Sequence, residues 1–247
     1  MEYQVIINGI TVNAHFNDVT IEEVIRPLLL RLSELRKKKG DRLLVMLAAP
    51  PGAGKSTFVS FLEYMANDMI PEYKVQAVGM DGFHRRQEYL LTHTTVVDGK
   101  EVPMVNIKGA PITFDLDGLK TKIGQVLGEK TCGWPLYDRH LHNAVEDAIT
   151  ITGDIVLLEG NYLLLDEEGW RDLKEKADYT IFIKADEEML RRRLIDRKEA
   201  SGNSREKAEA FVDYSDMRNV RLCLEHSMKA DLVLSVDDKG DYIVEEG

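Results

Sequence analysis

The run Ala49-Pro50-Pro51-Gly52-Ala53-Gly54-Lys55-Ser56-Thr57 has the residue types and spacing to hold phosphate. Gly52 and Gly54 permit a tight loop whose N–H groups point inward as an anion nest. A helix opening at this point adds the positive end of its dipole. Lys55 reaches the β- and γ-phosphates of a nucleotide, Ser56 can ligate Mg²⁺, and the Thr57 hydroxyl or N–H meets the α-phosphate. The pattern is the phosphate-loop motif with Ala49 where a first glycine is usual, and Pro51 and Ala53 fill variable positions of the loop. Transfer of a phosphoryl group to a hydroxyl also needs two carboxylates. One orients and deprotonates the hydroxyl, and the other holds Mg²⁺ directly or through water. Asp81, in Met80-Asp81-Gly82-Phe83-His84-Arg85-Arg86, suits the first role. Glu159, at the end of Asp154-Ile155-Val156-Leu157-Leu158-Glu159, suits the second. Asp154 opens that run, so it lies at the wrong end and reads as a turn residue.

These groups converge only if the right elements carry them. Short apolar runs without alternation recur at Leu43–Ala48, Val75–Gly79, Ile155–Leu158, Tyr179–Ile183 and Leu232–Val236. Such runs suit strands buried on both faces. Amphipathic helical stretches around Thr57–Asn67, Leu116–Leu127 and Glu187–Ala200 separate most of them, which predicts βαβ units and a mainly parallel sheet. Ligands of such sheets bind beyond the carboxyl ends of the strands, where the phosphate loop, Asp81 and Glu159 all fall. Upstream, Asn8-Gly9 between Tyr3–Ile7 and Ile10–His15 predicts a hairpin. Thr20 and Glu23 at capping-box spacing predict a helix start, with Pro27 the awkward residue inside it. Lys37-Lys38-Lys39-Gly40 predicts its end. The expected division is an extension over 1–40 and a catalytic domain over 41–247.

Composition limits the alternatives. Among 247 residues, Lys plus Arg number 32 and Asp plus Glu 43, a formal net charge of −11. An acidic surface disfavours general nucleic-acid binding. Cys132 and Cys223, the only cysteines, cannot form a disulfide framework or a four-cysteine zinc site and read as buried thiols. No run is long enough for a membrane helix and no signal peptide is visible, so the cytoplasm is the expected compartment. Asp115-Leu116-Asp117-Gly118 matches a short GTPase pattern, but it precedes a helix and no guanine-reading motif accompanies it.

Three further segments follow the phosphate loop in order. They are Asp81-Gly82-Phe83-His84, then Lys108-Gly109-Ala110-Pro111 with Phe114-Asp115, then Leu158-Glu159-Gly160 with Asn161-Tyr162. With them the chain resembles, over about residues 41–236, the P-loop kinases of the phosphoribulokinase, uridine kinase and bacterial pantothenate kinase superfamily. The Asp-Gly-Phe-His and Lys-Gly-Ala-Pro forms resemble the branch labelled fructose-transport-system kinase or nucleoside/nucleotide kinase-like protein. The resemblance implies an α/β, three-layer P-loop NTPase fold with a mainly parallel sheet and a helical lid, here preceded by the hairpin and helix. It implies ATP and Mg²⁺ as cofactors, with base and metal-linked acid at the positions of Asp81 and Glu159. It also implies an arginine-bearing lid, about residues 190–210. Arg193 and Arg197, four apart on one helix face beyond Arg191 and Arg192, are its candidates for contacting phosphate. Tyr137-Asp138-Arg139-His140-Leu141-His142 resembles the uridine kinase segment Tyr-Asp-x-x-x-His, which contacts the acceptor; Tyr137, Asp138, Arg139 and His142 are its candidates here.

Together with His84, Arg85 and Arg86 beside Asp81, these groups suit a polyhydroxylated acceptor, a sugar or sugar-like alcohol. The arginines could also mark an acceptor that already carries a phosphate or carboxylate. Phe83, Tyr89 and Phe114 could form a slot for a nucleobase, which keeps a uridine- or cytidine-type acceptor open, alongside a pantothenate-type one. A nucleotide-binding regulator without transfer activity would need neither Asp81 nor Glu159. The expected partners are ATP and the small-molecule acceptor, without nucleic acid or membrane; a homodimer stays open.

Overall fold

The structure, a computed structural model, describes residues 1–7, 9–138 and 141–245. In chain order its elements are β1 (Glu2–Ile7), β2 (Ile10–His15), α1 (Arg26–Lys39), β3 (Leu43–Ala48), α2 (Lys55–Met69), β4 (Val75–Gly79) and α3 (Gln87–Thr92). Then come β5 (Thr94–Val97), β6 (Lys100–Pro103), α4 (Leu116–Gly128), β7 (Cys132–Asp138), β8 (Asn143–Ile151) and β9 (Ile155–Gly160). The chain continues through β10 (Tyr179–Ala185), α5 (Glu187–Ala200), α6 (Arg205–Phe211), α7 (Met217–His226), β11 (Leu232–Val236) and β12 (Tyr242–Val244).

One sheet has the order β12-β11-β10-β3-β9-β4, and only β12 runs antiparallel in it. The apolar runs β3 and β9 are buried along their whole length, as expected for strands covered on both faces. Alternate residues serve different layers. Val45 and Leu47 of β3 join a core with α1, α2 and α5, through residues such as Leu29, Phe58 and Leu190. Leu44 and Met46 join a second core with α4, Trp134, Tyr162 and Cys223. The result is the expected three-layer α/β arrangement with a mainly parallel sheet. Both cysteines are free and buried.

The N-terminal extension is part of the first of these cores. Phe16 stacks on Phe61 of α2 at 3.8 Å, and Tyr3 meets Phe61 edge-on at 5.2 Å. Gly9 turns the β1–β2 hairpin with φ 81°; Asn8 lies outside the described residues. The expected capping box does not form. Thr20 is fully buried, and its hydroxyl donates to the Tyr242 carbonyl and accepts from the Tyr242 N–H, so it is spent on β12. Asn17 takes over the capping, accepting the Thr20 N–H at 2.6 Å. Pro27 is accommodated at the start of α1 by a π-helical turn over Thr20–Ile25, in which the Arg26 N–H reaches back to the Ile21 carbonyl. Gly40 ends α1 with φ 76°, as the lysine-glycine run predicts.

Two further hairpins, β5–β6 and β7–β8, stand outside the main sheet. The sequence reading missed both. Among the described residues no helix is long and apolar enough to cross a membrane.

Candidate active site

Parallel pairing brings three sequence-distant segments to one edge of the sheet. In the register of the central strands, Leu47 of β3 and Gly79 of β4 flank Glu159 of β9. The phosphate loop leaves β3 just beyond Leu47, and Asp81 leaves β4 just beyond Gly79. A side chain at position 79 would crowd the carboxylate, since a Cβ there would stand 2.9 Å from Glu159 Oε1. The phosphate loop turns on Gly52 (φ 87°) and Gly54 (φ 84°), both in the left-handed region that favours glycine. α2 opens at Lys55 without a side-chain cap, so its first N–H groups remain available to an anion. Tyr242 of β12 packs behind the loop against Phe58, 4.5 Å between ring centroids.

Glu159 accepts a hydrogen bond from the Ser56 hydroxyl at 2.7 Å and stands 4.0 Å from the Lys55 ammonium. It is 7% exposed, and burial is the main influence that raises its carboxyl above the ordinary value. Lys55 lowers it, the neighbouring Asp81 charge raises it, and the Ser56 hydrogen bond lowers it. A hydroxyl and a carboxylate, both hard oxygen donors, suit Mg²⁺. Among the described residues no cluster of three or more His, Cys, Asp or Glu could hold a metal ion.

Gly52, Gly54, Lys55, Ser56 and Thr57 line a cavity of about 270 Å³ together with Asp81, Arg193 and Arg197. Both candidate lid arginines therefore face the phosphate loop. Arg193 also donates to the carbonyls of Asp237 and Asp238, at 3.0 and 3.4 Å. Arg191 and Arg192 pair instead with Asp213 and Asp238 on the outside. Those partners come from other segments, not from the acids of α5 itself.

A second cavity, about 370 Å³, adjoins the first and shares Lys55, Asp81 and Arg197 with it. His84, Tyr137 and His142 line it, as do Pro51, Gln87, Lys108, Phe114, Asn161, Lys198, Asp216 and Asn219. Its walls depend on the β7–β8 hairpin. Trp134 donates from Nε1 to the Gly79 carbonyl at 2.9 Å, and a Cβ at Gly82 would run into the Pro135 carbonyl. This close docking sets Tyr137 beside His84, 5.3 Å between rings, while Phe114 stacks on the other side of the imidazole at 4.0 Å. The stretch just after Lys-Gly-Ala-Pro is tied to the turn beyond Asp81 twice. The Asp115 N–H donates to the Phe83 carbonyl and the Arg85 N–H to that of Thr113. Buried Tyr162 then donates to the Gly109 carbonyl, next to Lys108.

Two sequence candidates stand elsewhere. Arg85 lies over the Tyr89 ring at 4.8 Å and lines a neighbouring hollow with Arg86, Asp115 and Glu146; His84 borders both this hollow and the second cavity, but Arg85 does not reach the second cavity. Asp138 accepts the Leu141 N–H at 2.9 Å, a turn contact, and does not line the second cavity. Arg139 lies outside the described residues. Conversely, Lys108, Asn161, Asp216 and Asn219 line the cavity without being among the sequence candidates. Lys108 and Asn161 lie inside segments that carry the family resemblance, which is the signal the sequence holds for them. Asp216 and Asn219, at the start of α7, carried none.

The comparisons with known proteins fit this geometry. The profile of the "Phosphoribulokinase / Uridine kinase family" matches residues 44–239. "Uncharacterized protein YggC" of Escherichia coli (strain K12) is 40% identical over 243 residues, 98% of each chain. "Putative uridine kinase C227.14" of Schizosaccharomyces pombe is 30% identical over 210 residues, covering 83% of this chain and 87% of that protein. The crystal structure of a "putative fructose transport system kinase" from Silicibacter sp. TM1040 superposes with a TM-score of 0.76 at 28% identity, covering 85% of this chain and 98% of that one. Phosphate loop, flanking carboxylates and sheet order thus have one common explanation: the chain belongs to the phosphoribulokinase/uridine kinase family of P-loop kinases.

Proposed function

We propose that the protein transfers the γ-phosphoryl group of ATP to a hydroxyl of a small polyhydroxylated metabolite, a sugar or sugar-like alcohol. The observation that carries this reading is the position of Asp81, which lines both the phosphate-loop cavity and the adjoining one. A carboxylate at that junction can take a proton from an acceptor hydroxyl while the nucleotide phosphates lie on its other side.

In this reading residues 41–247 are the kinase domain and 1–40 an extension packed on it. The N–H groups of the loop from Pro51 to Thr57 cradle the phosphates, and Lys55 neutralises charge on the β- and γ-oxygens. Ser56 and Glu159 hold Mg²⁺, which when bound neutralises phosphate charge and aligns the γ-phosphoryl group. Arg193 and Arg197 add guanidinium donors from α5 as the lid. His84, Tyr137 and His142 orient the acceptor, whereas Arg85 and Asp138 support the site from outside. The Asn161 side-chain oxygen is buried and has no hydrogen-bond partner among the described residues, and it lines the acceptor cavity.

A nucleoside is the second reading, supported by the aromatic walls Phe114 and Tyr137 and by the name of the fission-yeast relative. ADP release under saturating Mg·ATP with parallel sugar and nucleoside panels decides between them. The sugar reading expects the best kcat/KM among the sugars. A uridine or cytidine rate about tenfold above every sugar would transfer the assignment to nucleosides.

A further inference from the structure

Three lysines line the acceptor cavity: Lys55, Lys108 and Lys198. Two of them face acids, Lys55 with Glu159 at 4.0 Å and Lys198 with buried Asp216 at 3.6 Å. Lys108 differs. Its ammonium donates to Tyr137 Oη at 2.7 Å, to Gln87 Oε1 at 2.9 Å and to the His142 carbonyl at 3.4 Å, all neutral acceptors. No carboxylate among the described residues pairs with it, and burial alone pulls its ammonium below the ordinary value. A half-buried cation is costly unless a charge compensates it. This one is also held in place, because Tyr162 fixes the Gly109 carbonyl and Asn143 of β8 caps the start of α3, where Gln87 sits.

Resting on the kinase reading above, we infer that the acceptor carries an oxyanion, a carboxylate or a phosphate, in addition to the hydroxyl that is phosphorylated, and that Lys108 is the group that reads it. The cavity places Lys108 among the same walls as Asp81, so one small molecule can present its hydroxyl to Asp81 and its anion to Lys108. The longest of the three contacts, to the His142 carbonyl, is the one the anion replaces. Asp216 does not cancel the attraction, because Lys198 and Arg197 both compensate its charge. The acceptor class narrows to sugar acids and sugar phosphates.

The test uses matched sets on one carbon skeleton: the neutral sugar or alcohol, the sugar acid and the sugar phosphate. Two readouts are taken on the full chain, kcat/KM by ADP release and the shift in Tm on binding in the presence of Mg²⁺ and a non-hydrolysable ATP analogue. An anionic member should exceed its neutral counterpart in kcat/KM by roughly 10- to 100-fold. Lys108→Gln keeps hydrogen bonding but removes the charge; it should erase that preference, mainly through KM, while Lys108→Arg retains part of it. Unchanged affinity of Lys108→Gln for the nucleotide analogue shows that the variant is folded. Whether acid or phosphate responds identifies the anion. The inference is overturned if a neutral member is best, if the preference survives Lys108→Gln, or if no anionic member binds. Asp81-dependent phosphorylation of a neutral member alone would leave the kinase reading standing. An anion bound through Lys108 but never phosphorylated would support the inference and count against that reading.

Discussion

On the side of the phosphate loop, the loop and the carboxylate beside it follow or lie within strands that are buried or flanked by buried strands, whereas Arg193 and Arg197 come from a helix, α5. Lys55 and Ser56 follow β3, and Glu159 lies within β9 between Leu47 and Gly79. On the acceptor side the walls come mainly from an outer hairpin, turns and the start of α7. Tyr137 belongs to β7, whose partner β8 is largely exposed; Lys108 follows a short 3₁₀ turn; Asn219 belongs to α7. The first half is fixed largely by the core that makes the fold, and the second is assembled mainly from elements outside the central sheet. This explains how one family can keep its transfer chemistry while its members' names differ in acceptor. Asp81 is where the halves meet. It leaves a core strand, but its turn is clamped by Pro135 of the outer hairpin.

The comparison can be broken from either side. The largest effect belongs to the phosphate half. Lys55→Ala removes the cation proposed to face the nucleotide, and turnover should fall by about 10²- to 10³-fold. Wild-type nucleotide binding by calorimetry together with wild-type turnover would remove the phosphate loop from the reaction.

Glu159→Gln keeps the Ser56 contact in reach but weakens the metal site, so the Mg²⁺ concentration for half-maximal rate should rise about tenfold. An unchanged Mg²⁺ titration would assign the metal to another carboxylate.

Gly82→Ala probes the clamp between the halves. The added methyl meets the Pro135 carbonyl, so stability should drop by about 1–3 kcal/mol in urea unfolding. KM for the acceptor should rise more than KM for ATP. Equal changes in both constants would mean that the hairpin does not shape the acceptor side separately.

The smallest effects separate the arginines of α5. Arg197→Ala should lower turnover by about tenfold or more, as expected for a phosphate-facing guanidinium. Arg192→Ala removes only an exposed ion pair, worth roughly 0–1 kcal/mol, and turnover should stay within about twofold. Equal losses in the two variants would contradict the placement of the lid face.

What could be read from the residues follows the same division. β3, β4 and β11 begin and end where their apolar runs do, because strands covered on both faces need uninterrupted hydrophobicity. α5 also keeps its bounds, with Asp186 capping it through the Met189 N–H. The phosphate loop, Asp81 and Glu159 are local signals on those strands. The outer hairpins left no such trace. Asn143–Ile151 is mostly exposed along one partner strand, so no apolar run marks it, and its role lies in where it carries Asn143. Thr20 misled for a related reason. Capping-box spacing is a local rule, but the hydroxyl was drawn to Tyr242, 222 residues away in sequence. Arg85 is near Asp81 along the chain, but its side chain lies over Tyr89 in the neighbouring hollow, a placement that nearness in sequence does not reveal.

The central claim is that Asp81 activates the acceptor and does not hold the nucleotide. Asp81→Asn preserves shape and hydrogen bonding while removing the base. Mg·ATP affinity by calorimetry and single-turnover transfer to the best acceptor should be measured on the same preparation. The account predicts affinity within a few-fold of wild type and a transfer rate lowered by about 10²-fold or more. A transfer rate close to wild type, with affinity also unchanged, would contradict it and make Asp81 a turn residue.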